Sequence, residues 1–267
     1  MTNFENSYKK SFSYICVHYF HIDVTIMKYV NRFILSAVVW MTALQMFAAD
    51  KVVALSFGNM DQWTIRKIHE SAVIGGQTKT LYEIGPNRTL EGNNPYTNGG
   101  GSPWGTSNVM AKVMGVVKTN NSVCRDRHGN GYCAKLTTHI ENVKVLGLMN
   151  MHVLAAGSIF LGDMKEPITG TKDGPKAMNN GIAFTGRPKA LRYDYKVSVA
   201  GTPNRIRQNG FSKGSTVAGK DYAVAVFYLQ KRSEDAKGNI TAKRVGTMVV
   251  KYGKSTGGWG DNATHEI

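Results

Sequence analysis

Residues 181–201, GIAFTGRPKALRYDYKVSVAG, contain the pattern that decides the fold. After the turn at 186–189, apolar or aromatic residues alternate with charged ones: Leu191, Tyr193, Tyr195 and Val197 against Arg192, Asp194 and Lys196. A period of two is typical of a β-strand with one buried face. We therefore predict a strand whose tyrosines face the core and whose charged row faces outward, toward solvent or a ligand groove.

Similar strand-like segments lie on both sides of this stretch, and Gly-rich turns separate them. No helical period persists for ten residues after residue 50. The segments are 51–57, 109–119, 132–149, 155–162, 221–233 and 244–253. Many short strands of this kind predict an all-β sandwich or barrel. The last two should form a hairpin, and its almost uniformly apolar run at 224–230 predicts cover on both faces. Residues 85–108 are polar and predict a long loop.

The first 49 residues differ from the rest of the chain. From Met27, two basic residues precede a mostly apolar run at 33–47, and Ala48-Ala49 follows. This order is typical of a secretory signal peptide, and the run is shorter than the ~20 residues that span a bilayer. We predict a signal peptide over 27–49, with a membrane anchor as the alternative. We interpret residues 1–26 as a mis-annotated extension and 50–267 as one domain that is exported to the periplasm, the cell surface or the medium.

The charge of the chain limits the classes of partner. The net charge is +15, and only four basic and two acidic residues lie in 1–49. The basic surface therefore belongs to the predicted domain, where it favours acidic glycans or anionic surfaces over a neutral partner. An exported chain without a helix-turn-helix, zinc-finger or RNP-like pattern is not expected to bind nucleic acid. A basic but merely soluble protein is the alternative.

Two cysteines, Cys124 and Cys133, lie in the predicted domain and flank the turn sequence HGNG at 128–131. Cysteine pairs in exported chains commonly form disulfides. We predict a hairpin that this pair closes with a disulfide; two reduced thiols are the alternative.

Five segments in a fixed order resemble a known family. They are SPWGTSN (102–108), GSIFLG (157–162), AFTGRPKALRYDYKV (183–197), DYAVAVFYLQ (221–230) and RVGTMVV (244–250). Together they resemble the putative carbohydrate metabolism domain family, abbreviated PCMD. The resemblance implies a jelly-roll β-sandwich similar to carbohydrate-binding modules, in exported bacterial proteins. This chain departs from the family in its cysteine pair and its higher basic charge. It also stops at GGWGDNATHEI, where the family continues into one more strand, so a missing last strand or a degenerate C-terminal edge are the alternatives.

Candidate binding residues follow from the chemistry of sugar recognition, which uses flat aromatic faces and planar polar groups. Loop positions and the start of the 190–200 strand supply such groups: Trp63, Tyr96, Trp104, Asn108, Arg187, Lys189, Arg192 and Asp194. Structural alternatives remain for several of them. Trp104 could close one end of the sandwich, and Arg187 and Lys189 could fix the turn around Pro188.

No motif marks a catalytic or metal centre. The carboxylates that could serve in glycoside hydrolysis lack an acid/base context: Asp126, Asp163, Glu166, Asp173, Asp194 and Asp221. The histidines at 128, 139 and 152 lack zinc-ligand spacing. Asp126 and Asn130 could offer oxygens to a structural calcium ion, against two neighbouring arginines. We therefore expect no cofactor.

The most favoured function is non-catalytic binding of a poly- or oligosaccharide in a bacterial glycan-utilisation system. A glycoside hydrolase, and a structural or adhesive protein that contacts other cell-surface proteins, are the alternatives.

Overall fold

Short β-strands make up nearly all of the regular structure. The computed structural model describes residues 14–24, 51–97, 101–145, 149–170, 173–208, 214–237 and 239–267. Besides a 3-10 turn at Ala72–Ile74 and a one-turn helix α1 at Gly174–Ala177, the elements are strands: β1 (Tyr14–Val24), β2 (Lys51–Ala54), β3 (Trp63–His69), β4 (Thr78–Ile84), β5 (Arg88–Glu91), β6 (Trp104–Thr106), β7 (Val109–Val113), β8 (Val116–Asn120), β9 (Val123–His128), β10 (Gly131–Thr137), β11 (His139–Val145), β12 (Met149–Ala155), β13 (Ile159–Met164), β14 (Met178–Asn180), β15 (Pro188–Ser198), β16 (Ile206–Arg207), β17 (Ser215–Thr216), β18 (Ala223–Glu234), β19 (Ile240–Tyr252) and β20 (Gly260–Glu266). The predicted all-β class is confirmed. The stretch 85–108 contains β5 and β6, so the prediction of one long loop there is wrong.

The largest sheet has six strands, and the strand predicted at 190–200 lies inside it as β15. Five strands follow one another in the order β20-β15-β1-β10-β9, and β2 pairs with β1. Every pairing in this sheet is antiparallel. Two three-stranded sheets, β4-β3-β5 and β14-β13-β6, and several antiparallel strand pairs complete an arrangement consistent with a β-sandwich.

Strand β1 lies within residues 1–26, which we interpret from the sequence as an extension outside the domain. The backbone of β1 pairs with both β15 and β10. The predicted signal peptide, 27–49, lies outside the described residues, and the interpretation of 1–26 as an extension stays a prediction. Within the described ranges, no helix has the length and apolar character that crossing a membrane requires.

The main core lies where β15 meets β19 and the strands around β3, β9 and β10. Tyr193 of β15 is 1% exposed, and Tyr195 packs against the same cluster. The hydroxyls of Tyr193 and Tyr252 lie 2.6 Å apart. Burial raises the pKa of Tyr193 and raises that of Tyr252 to about 12, so both stay protonated near neutral pH. The prediction that Tyr193 faces the core is confirmed.

The outer face of β15 is more covered than the sequence predicts. Arg192 and Lys196 are half-buried, and Asp194 is only 7% exposed. The Asn262 backbone N–H donates to the Asp194 carboxylate over 2.6 Å. The prediction of an outward, solvated Asp194 is therefore wrong, because the chain around β20 covers it.

The cysteine pair lies on the predicted hairpin but does not form the predicted disulfide. Strands β9 and β10 pair in register and the turn between them is short, so the hairpin is confirmed. Cys124 lies opposite Lys135, and Cys133 lies opposite Asp126. The two cysteines are thus diagonal neighbours, which in an antiparallel pair lie ~7–8 Å apart and beyond disulfide reach. Both are present as thiols, so the disulfide prediction is wrong.

Candidate functional site

The two tryptophans proposed as sugar platforms are core residues. Trp63 and Trp104 are both buried. The indole N–H of Trp63 donates to the Met60 carbonyl over 2.7 Å, and that of Trp104 donates to the Ser56 carbonyl over 2.9 Å. Neither ring presents an open face to a ligand, so the structure agrees with the structural alternative for Trp104.

Asn108 links two strands rather than facing a ligand. Its side-chain amide donates to the carbonyls of Tyr82 and Val123, each over 2.7 Å. Its side-chain oxygen accepts from the backbone N–H groups of Ser122 and Val123, each over 2.9 Å. Because four hydrogen bonds fill the capacity of the buried amide, none remains for a sugar hydroxyl.

Tyr96 covers a buried ion-pair network. Arg66 pairs with Glu83 at 3.0 Å and with Glu166 at 2.6 Å, and all three side chains are at most 4% exposed. The Tyr96 ring lies over the Arg66 guanidinium at 4.7 Å, and its backbone N–H donates to Glu166 over 2.8 Å. The Met110 N–H also donates to Glu166 over 2.9 Å. Glu166 is thus held in a structural network and is not available as a catalytic acid or base.

Glu83 carries the largest shift in this network. Burial raises the pKa of its carboxyl to about 7, against the opposing effect of the Arg66 charge. The Thr106 hydroxyl donates to it over 2.6 Å. Shifted pKa values of this kind occur both in groups that transfer protons and in structural ion-pair networks. The burial of Glu83 favours the structural role.

The remaining candidates are spread over the surface and do not form one site. Arg187 and Lys189 are exposed at the start of β15, and Arg192 donates to the Thr264 hydroxyl over 3.2 Å. Among the carboxylates, Asp126 pairs with Lys135 at 3.3 Å. Of the eight predicted residues, Arg192 and Asp194 are neighbours on one row of β15, and the two tryptophans and Asn108 are internal.

A different surface exposes the aromatic rings that a sugar site needs. Along β18 and the residue before it, Tyr222, Val224, Val226 and Tyr228 are 41–47% exposed. The residues between them, Ala223, Ala225 and Phe227, pack on the core. Across the hairpin, Val226 pairs with Val249, which is also exposed. The prediction that both faces of this run are covered is therefore wrong.

Cationic side chains accompany the two rings. The Arg244 guanidinium lies 3.8 Å from the centre of the Tyr228 ring, and the Lys251 ammonium lies 5.5 Å from that of Tyr222. The two tyrosines are six positions apart along the chain, a span of about 20 Å in an extended strand. We call this surface the tyrosine face: Tyr222, Val224, Val226, Tyr228 and Val249, with Arg244 and Lys251.

The tyrosine face has the chemistry of an extended, shallow binding surface. Each ring offers an apolar surface for C–H groups and a hydroxyl at its edge. Arg244 and Lys251 add hydrogen-bond donors and positive charge beside the rings. These tyrosines are hard to recognise as exposed from sequence, because the intervening alanines and phenylalanine make the run look uniformly apolar. The signal was the position of both tyrosines on one face of the strand.

One group of possible metal ligands occurs within the part of the chain that the structure describes. It joins His128, Asp194 and Asp261, whose ligand atoms all lie within 4.8 Å of one another. The three residues are far apart in the sequence, so their proximity could not be predicted from spacing.

Comparison with known proteins identifies the family. No curated protein and no solved structure matches the chain. Residues 79–257 match the family described as "Putative carbohydrate metabolism domain". This range contains the Tyr222–Tyr252 hairpin and most of the strands named above. The chain therefore belongs to the putative carbohydrate metabolism domain family, PCMD.

Proposed function

We propose that this protein binds an oligo- or polysaccharide without cleaving it, through the tyrosine face. The observation that carries the proposal is the exposure of Tyr222 and Tyr228 on one side of a single strand. Burying large aromatic rings is normally favourable, so an open row of them indicates a surface that a ligand covers. The carbohydrate-related family supports a glycan as that ligand.

The geometry supports weak, additive recognition. A flat strand pair buries little of a ligand, so affinity for one sugar unit should be low. The separation of about 20 Å between the tyrosines suits a chain of several sugar units better than a monosaccharide. Arg244 and Lys251 would favour glycans that carry carboxylate or sulfate groups.

Export to a compartment where glycans are processed is part of the proposal. Its support is the signal-like order of residues 27–49. The N-terminus of the protein recovered from its native host should be Asp50, measured by mass spectrometry. Peptides from residues 1–26 in that material would contradict both the predicted cleavage and the interpretation of residues 1–26 as an extension.

A glycan array on the full chain, followed by calorimetry with the best ligand, tests the binding. Tyr222→Ala and Tyr228→Ala should each weaken binding roughly three- to tenfold, as loss of one aromatic contact implies. Tyr132→Ala is the matched control, because Tyr132 is partly exposed on β10 and also has two arginines over its ring. Its affinity should equal that of the wild type.

Three outcomes would overturn the proposal. The first is the absence of binding to any glycan on the array. The second is equal affinity of both tyrosine variants and the wild type. The third is release of reducing sugar from the bound glycan, which would identify a hydrolase. Self-association that Tyr228→Ala abolishes, in the absence of glycan binding, would instead assign the face to protein contacts.

A further inference from the structure

Three strands bring potential metal ligands to one point beside β15. His128 is the last residue of β9, Asp194 lies within β15, and Asp261 is the second residue of β20. One ligand atom from each lies within 4.8 Å of the other two. This group belongs neither to the tyrosine face nor to the Arg66 network.

Asp194 is the unusual member of the group. It is 93% buried, and the hydrogen bond from the Asn262 N–H engages one of its two oxygens. Among the side chains that the structure describes, which do not include those of β1, Asp194 forms no ion pair. Buried carboxylates are normally paired with a cation or bound to a metal. Glu83 and Glu166, which both contact Arg66, follow that rule within this same protein.

The strand pairing is irregular at Asp194. The register of β15 against β20 shifts between Tyr193 and Tyr195, where Asp194 lies. Asn262 adopts a left-handed φ of 53°, a conformation that asparagine tolerates better than most non-glycine residues. Register shifts of this kind are frequent where a side chain must be aimed at a functional point.

The imidazole is also held in place. The ring of His128 lies 3.8 Å from that of Trp259, centre to centre, with 36° between their planes. Trp259 immediately precedes β20, the strand that supplies Asp261. A stacked imidazole loses less freedom on binding an ion than a mobile one does, so the contact favours a preformed site.

We propose that His128, Asp194 and Asp261 bind a divalent transition-metal ion of the Zn²⁺ class. One imidazole nitrogen and two carboxylate oxygens form a ligand set that suits this ion, and imidazole disfavours Ca²⁺ and Mg²⁺. Three protein ligands leave at least one position for water or a ligand oxygen. The ion would compensate the buried charge of Asp194. The site is independent of the proposed glycan binding.

Zn²⁺ uptake by the metal-free full chain, in competition with a chromogenic chelator, tests this site. The wild type should bind one equivalent. His128→Ala and Asp194→Asn should each bind at least about tenfold more weakly. His139→Ala is the matched control, because His139 pairs with Glu141 at 2.9 Å in a different sheet. It should bind Zn²⁺ like the wild type.

A second measurement separates loss of the metal from loss of the fold. Zn²⁺ should raise the melting temperature of the wild type and leave that of Asp194→Asn unchanged. Without metal, Asp194→Asn should be at least as stable as the wild type, because it removes an uncompensated buried charge. Equal Zn²⁺ affinity in the wild type and His128→Ala would overturn the proposal. So would stabilisation by Ca²⁺ with none by Zn²⁺.

Discussion

Strands β15 and β18 are similar in length and lie in opposite environments. β15 has 11 residues and contains Tyr193 and Tyr195, whereas β18 has 12 residues and contains Tyr228, with Tyr222 directly before it. Tyr193 of β15 is 1% exposed, whereas Tyr228 of β18 is 47% exposed. The outer row of β15 carries charges yet is partly covered, whereas the outer row of β18 is apolar yet open.

The difference arises from what packs outside each strand. β20 pairs with β15 in the same sheet and contacts its outer row: the Asn262 N–H donates to Asp194, and Arg192 donates to the Thr264 hydroxyl. The hairpin of β18 and β19 is a two-stranded sheet that packs one face on the core. Alternation therefore identifies the two rows of a strand, but tertiary neighbours decide which row is buried.

The strongest test of this comparison is removal of one ring from each strand. Tyr193→Ala should lower the free energy of unfolding by about 3–5 kcal/mol, because it leaves a large cavity in the core. Tyr228→Ala should change it by no more than about 0.5 kcal/mol. Urea denaturation followed by circular dichroism measures both. Similar losses for the two variants would show that the tyrosine face is covered in the folded protein.

A buried and an exposed glutamate extend the comparison of covered and open regions to the effect of pH on stability. Because burial raises the pKa of Glu83 from its usual value near 4.5 to about 7, the folded state holds this proton more tightly than the unfolded state. The stabilisation that the folded state gains from this tighter proton binding is complete below pH 4.5 and is lost as the pH rises to about 7. We expect the stability of the wild type relative to Glu83→Gln to fall across that window, by an amount on the order of 1–3 kcal/mol.

Exposed Glu91 provides the control for this pH dependence. A hydrogen bond from Lys67 and its charge lower the pKa of Glu91. Ionised Glu91 therefore stabilises the folded state above its pKa, and this stabilisation is lost only as the pH falls. The stability of the wild type relative to Glu91→Gln should therefore show no fall between pH 4.5 and 7. Urea denaturation at several pH values measures both differences. If the difference in free energy of unfolding between the wild type and Glu83→Gln does not change with pH, the raised pKa of Glu83 is contradicted.

A glycine on β20 tests how tightly the β15 tyrosines are packed. A Cβ at Gly260 would lie 2.8 Å from Cε1 of Tyr195, whereas a Cβ at Gly258 would meet no atom within 4 Å. Gly260→Ala should therefore cost about 1–3 kcal/mol through overpacking. Gly258→Ala should be neutral within about 0.5 kcal/mol. Equal thermal stability of the two variants would mean that Tyr195 moves aside at no cost.

The smallest expected effect concerns one hydroxyl. Tyr193→Phe removes the buried hydrogen bond to Tyr252 and should cost about 0.5–1.5 kcal/mol. Tyr228→Phe should leave stability unchanged, because that residue is largely exposed. The double variant of Tyr193 and Tyr252 to Phe should cost less than the sum of the two single changes. If the stability losses of the two single variants add up to that of the double variant, the hydrogen bond between Tyr193 and Tyr252 is contradicted.

Much of the architecture follows from local sequence. Alternation predicted β15, apolar runs predicted β18 and β19, and the Gly-Asn turn predicted the hairpin of β9 and β10. These features depend on residues that are close in the chain. The ordered segments of 102–250 also predicted the family correctly.

The candidate sites depend on contacts that local sequence does not encode. Arg66 and Glu166 are 100 residues apart in the chain and bonded in the fold. The group of His128, Asp194 and Asp261 has similarly wide spacings, so no metal motif marks it. Tryptophans in polar stretches suggested exposed rings, but the size of the indole makes it as useful for filling a core.

The far end of the β18–β19 hairpin has a practical consequence. Beyond the register shift at Leu229 and Gln230, residues 231–237 are exposed, and Asp235 holds the turn through hydrogen bonds from Lys237 and Asn239. This tip is rich in lysine and arginine, so trypsin should cut there first. For the same reason, a peptide tag inserted at 236–237 should leave folding intact and let the protein be captured on a sensor in one defined orientation.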